Sequence, residues 1–172
     1  KYYWLPAMGN LDQDINNTWP YKFTLSEVQC GAGIVMMKRL DKLNNLRISR
    51  ARELIKSLSD FGELKFNIAF KAKEHVYHLL SAYYKPFKNI NRNSLINILH
   101  KKYSIKCAVQ YYPLYKYSLF KKMGLGKHNC PNTEIFFKNM VSFPFHIWMT
   151  DKEFKYMILS IKKTLIELRR KR

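Results

Sequence analysis

Gln110-Tyr-Tyr-Pro-Leu-Tyr115 gathers one amide and three phenols into six residues around a proline. These groups donate and accept hydrogen bonds, but none is an imidazole, the side chain that titrates near neutral pH. They suit holding a ligand better than moving its protons. For Tyr112 and Tyr115 the competing reading is aromatic packing at the end of a strand. A second candidate is Lys22, just ahead of a helix start, where positive charge beside free backbone amides favours a phosphate group; composition alone would make it a solvent-exposed lysine. Other combinations are poorer. His75 and His78 are three apart on an expected strand and point to opposite faces, so they do not share a metal. His128 and Cys130 offer two ligands with no partner pair nearby. A Cys107–His146 nucleophile pair lacks a third residue to orient it. No metal site is expected.

Elements must position these groups. Thr24-Leu-Ser-Glu27 has capping-box spacing, with Phe23 and Val28 at the flanking hydrophobic staple positions. The helix it opens carries Val28, Ala32, Val35, Met36, Leu40, Leu43 and Leu46 three or four apart and extends towards Leu54 and Leu58 before Gly62. A helix this long spans or clamps a domain boundary. Strands are expected over 63–69, 74–84 and 105–111, the second central in its sheet because both of its faces are apolar or aromatic. A helix capped by Asn91 or Asn93 separates the last two. Pro131 starts a further helix, residues 141–143 are extended, and Thr150-Asp-Lys-Glu153 is a second capping box. It opens a final helix through Phe154, Met157, Ile158, Ile161, Leu165 and Leu168.

At 172 residues, with 47% hydrophobic content, the chain can bury a real core. No apolar run approaches the ~18 residues of a membrane span, and three cysteines without close pairs fit a reducing compartment. A cytoplasmic protein with free thiols is expected. The net charge of +19 raises nucleic acid as a partner, but its lysines are scattered singly or in pairs. The scatter reads as compositional bias, so a basic nucleic-acid-binding module remains the rival reading and not the leading one.

Five blocks carry a family resemblance in the correct order. They are Tyr21-Lys-Phe-Thr-Leu-Ser-Glu27 with its small-residue helix, Glu74-His-Val-Tyr-His-Leu79, Gln110-Tyr-Tyr-Pro-Leu-Tyr115, Cys130-Pro-Asn-Thr-Glu134 and Ser142-Phe-Pro-Phe-His146. Over residues 19–165 the chain resembles the C-terminal small domain of DegT/DnrJ-type pyridoxal-phosphate sugar aminotransferases. The implied fold is α/β (α+β), with a small, mostly antiparallel sheet packed with helices and a long N-terminal connecting helix. Residues 1–18 would be a transition segment and 19–172 the small domain.

The resemblance also implies function. Relatives work as dimers, moving an amino group from glutamate or glutamine to a keto group on a nucleotide-linked sugar. Lys22 matches a loop that approaches the cofactor phosphate of the partner subunit. Gln110 and Tyr111 match positions on the substrate side, and Tyr115 matches a nearby histidine; with Gln and Tyr in place of histidines, substrate orientation is expected and not general-base chemistry. The family's cofactor-binding lysine lies in a large upstream domain, and no segment here resembles it. The chain alone is therefore expected not to transaminate, as a fragment, a split subunit or a remnant that pairs with a full-length paralogue.

Overall fold

The computed structural model describes residues 25–67 and 75–171. The chain divides into two compact units, residues 1–40 and 41–172. Helix α1, Glu27–Ser57, begins in the first unit and ends in the second. Its start is set by Ser26 and Gln29: the Ser26 backbone amide donates to the Gln29 side-chain Oε1 and the Gln29 backbone amide to the Ser26 hydroxyl. This reciprocal cap replaces the one expected at Thr24–Glu27, two residues earlier; Thr24 itself lies outside the described residues. Val28, Val35, Met36, Leu40 and Leu46 have helical spacing as expected, yet all are exposed. Burial on α1 begins at Ala51 and Leu54.

The second unit holds a three-stranded antiparallel sheet in the order β1-β2-β3, formed by Leu64–Phe66, Leu80–Tyr84 and Met140–Phe143. The central strand is β2, as its two apolar faces predicted. Its first half is not extended, however. The Tyr77 amide turns back to His75 Nδ1 at 2.8 Å and Tyr77 takes a left-handed φ of 52°, so pairing starts only at Leu80. The strand expected over 105–111 reduces to one bridge, Ala108 to Ser142, made by two backbone hydrogen bonds of 2.9 and 2.8 Å. Beyond it the chain turns at Pro113, which has no amide to continue a ladder.

Four helices complete the unit: α2 (Arg92–Tyr103), α3 (Ser118–Lys122), α4 (Pro131–Asn139) and α5 (Asp151–Arg170). Asn91 caps α2 through the Asn93 and Ser94 amides, and Thr150 with Glu153 forms the expected capping box of α5. Every apolar position assigned to the α5 face is buried: Phe154, Met157, Ile158, Ile161, Leu165 and Leu168. That stripe packs with Leu54 and Leu58, with Leu95 and Leu99 of α2, and with Leu80, Ala82, Val141 and Phe143 of the sheet in one core. Helix α2 lies against α5 and β3, and α4 approaches β2.

Candidate functional site

The loop leaving the sheet at Ala108 is anchored at both ends. At its start Ser142 spends both backbone groups on Ala108, and its hydroxyl bonds Ser81 at 2.7 Å. The Gln110 amide then approaches Met140 Sδ at 3.3 Å, and the Gln110–Tyr111 peptide is cis. Tyr112 meets Tyr117 edge-on at 5.0 Å and Phe137 of α4 at 5.5 Å, while Pro113 is buried. These contacts lay the loop along α4, and a short 3-10 turn at Leu114–Lys116 delivers Tyr115 and Lys116 to the first turn of that helix.

Glu134 receives both of them. The Tyr115 hydroxyl donates to Oε1 at 2.6 Å, and the Lys116 ammonium donates to Oε2. The lysine, then the tyrosine, holds the Glu134 carboxyl below the usual carboxylate range. In return the bond to Glu134, aided by partial desolvation, pushes the Tyr115 phenol up to about 12. At neutral pH the cluster is therefore an ionised carboxylate between a neutral phenol and an ammonium. All three side chains are partly exposed, so a ligand can reach them.

Helix α4 is itself held in place. The Arg92 guanidinium, at the start of α2, donates to the Phe137 and Met140 carbonyls at 3.2 and 2.9 Å, satisfying acceptors that the helix end leaves open. Burial lowers the Arg92 pKa.

Of the residues singled out in the sequence, Gln110 is half-buried, Tyr111 is exposed and Tyr115 is tied to Glu134, all on this one loop. Lys22 lies outside the described residues. Sequence reasoning missed Glu134 as the shared partner of Tyr115 and Lys116, because 19 and 18 positions separate it from them and no local period links a loop to a helix start. The presence of Tyr115 and Glu134 within two of the resemblance blocks was the available signal. Lys116 is unsuited to covalent cofactor chemistry, which needs an unpaired amine. Cys107 is half-buried and its thiol is pushed up to about 12 by desolvation, so it is not an activated nucleophile for His146.

The chain is 31% identical over 156 residues to UDP-4-amino-4,6-dideoxy-N-acetyl-beta-L-altrosamine transaminase of Campylobacter jejuni, covering 86% of this chain and 38% of that protein. Among solved structures, the aminotransferase from Psychrobacter cryohalolentis superposes with a TM-score of 0.77 at 17% identity, over 94% of this chain and 44% of that one. Helicobacter pylori PseC, an aminotransferase involved in pseudoaminic acid biosynthesis, gives 0.74 at 20% identity, over 91% and 43%. The fold is thus that of sugar aminotransferases, and the chain spans about two-fifths of the length of such relatives. With residues 5–162 matching its profile, the chain belongs to the DegT/DnrJ/EryC1/StrS aminotransferase family.

Proposed function

We propose that residues 19–172 serve as the small domain of an aminotransferase acting on a nucleotide-linked keto sugar, with residues 1–18 as the transition into it. The observation that carries this reading is the loop from Gln110 to Tyr115, anchored at β3 and at Glu134 within a chain of this family. Gln110, Tyr111 and Tyr115 form part of the substrate wall. They bind and orient the nucleotide-sugar through hydrogen bonds; a phenol raised to about 12 does not act as a base near neutral pH. The transaminase relative in Campylobacter jejuni, whose name specifies a UDP-linked amino sugar, supports the substrate class.

Pyridoxal phosphate, when bound, supplies the electron sink for amino transfer from an amino-acid donor. Lys22 would face its phosphate, and the main cofactor site lies outside these residues. The complete enzyme is proposed to be a homodimer, and the exposed apolar side chains of α1, including Ile34, Val35 and Met36, supply surface for such contacts. Three unpaired cysteines fit a cytoplasmic location. No described helix is long and apolar enough to cross a membrane.

Two measurements test the proposal. UDP added to the chain should shift the NMR signals of Tyr111 and Tyr115; unchanged signals would remove the substrate wall. Incubation with pyridoxal phosphate followed by borohydride should leave the mass of these 172 residues unchanged, and a stoichiometric adduct would show that they hold the cofactor covalently on their own.

A further inference from the structure

We propose that Glu134 is a positioning and specificity residue that divides the substrate wall into one accepting point and one donating point. The inference rests on the substrate-wall reading above and goes beyond it. A tyrosine hydroxyl has one hydrogen and two lone pairs. Tyr115 commits its hydrogen to Glu134 Oε1, so towards a ligand its oxygen can only accept. Lys116 spends one ammonium hydrogen on Glu134 Oε2 and keeps two. The carboxylate thus fixes Tyr115 Oη as the partner of a donor, such as a sugar hydroxyl or an N-acetyl amide, and leaves Lys116 Nζ for an anionic oxygen of the diphosphate.

The geometry makes this polarity firm. Glu134 sits in the first turn of a nine-residue helix opened by Pro131, and that helix is fastened at its far end by Arg92. Pro113 and the 3-10 turn fix the approach of Tyr115 from the other side. Without Glu134 the phenol would rotate freely and could donate to phosphate, and the two points would lose their difference.

The test compares two probes, UDP and UDP-N-acetylglucosamine, binding to the full chain by titration calorimetry. The unmutated chain should prefer the sugar-bearing probe by roughly 3- to 10-fold, the worth of one neutral hydrogen bond. Glu134→Ala should bring that ratio close to one while UDP itself still binds. Tyr115→Phe, which keeps the Glu134–Lys116 pair and guards against misfolding of the first variant, should do the same. Glu134→Gln, still an acceptor for Tyr115, should retain part of the preference. Tyrosine-labelled NMR should also show the Tyr115 titration falling from about 12 in Glu134→Ala. A purely structural role would weaken both probes equally, and that outcome overturns the proposal. Equal binding of both probes by the unmutated chain also overturns it while sparing the wall; binding of neither removes the wall and the inference with it.

Discussion

Arg169 closes on Glu63 with Nε 2.7 Å from Oε1 and Nη2 2.9 Å from Oε2, joining the last turn of α5 to the start of the sheet. The same guanidinium donates to the Asp60 carbonyl at 3.0 Å and lies 4.7 Å over the Phe61 ring. Glu63 is only 5% exposed, whereas the Arg169 side chain is 42% exposed. Arg169→Met should therefore destabilise the fold by about 2 kcal/mol, below the cost of breaking a fully buried pair because solvent screens the outer partner. Arg169→Lys should recover little, since an ammonium does not reproduce the two-pronged contact. Urea unfolding measures both, and wild-type stability in the methionine variant would deny the bridge its role.

The cap of α5 should show itself through pH. The Glu153 carboxyl is held below its ordinary 4.5 by the Thr150 backbone amide and then by the Thr150 hydroxyl. Its folded value is depressed, so its contribution is present above about 4.5 and is lost as pH falls through the folded value. Thr150→Ala should cost about 1 kcal/mol at pH 7. The gap between wild type and Glu153→Ala, which removes the titrating carboxyl itself, followed by urea midpoints, should narrow towards pH 3; a constant gap would contradict this account.

Thiol chemistry should separate the cysteines. Cys30 is exposed on α1, while desolvation of Cys107 pushes its thiol up to about 12. Iodoacetamide at pH 8 should label Cys30 readily and Cys107 at least about tenfold more slowly, because the thiolate is the reacting form. Peptide mapping reads the order, and rapid alkylation of Cys107 would contradict its burial.

Capping and periodicity made much of the fold legible. The Thr150–Glu153 box, Pro131 at the start of α4 and the Phe154–Leu168 stripe are short-range patterns, and the chain obeys them. The long α1 was legible for the same reason, though Ser26 and Gln29 cap it two residues later than Thr24 and Glu27 would have. Local competition of this kind decides between neighbouring candidates with nearly equal propensity. Strand limits were less legible, because Val76 and Tyr77 favour extension while the His75 ring offers the Tyr77 amide a closer acceptor.

By itself the sequence determined the family, helices α1, α2, α4 and α5, and the grouping of Gln110, Tyr111 and Tyr115 in one motif, since each depends on residues close together in the chain or on blocks in a fixed order. It expected a strand over 105–111 where the structure has a loop, and it did not mark α3. Only the tertiary structure decided that Tyr115 and Lys116 share Glu134, that Arg92 fastens α4, and that Arg169 covers Glu63. Such pairings depend on how helices and sheet pack around the core. A hydrogen bond needs atoms within about 3 Å, and no spacing along a chain specifies that between a loop and a helix that packing alone brings together.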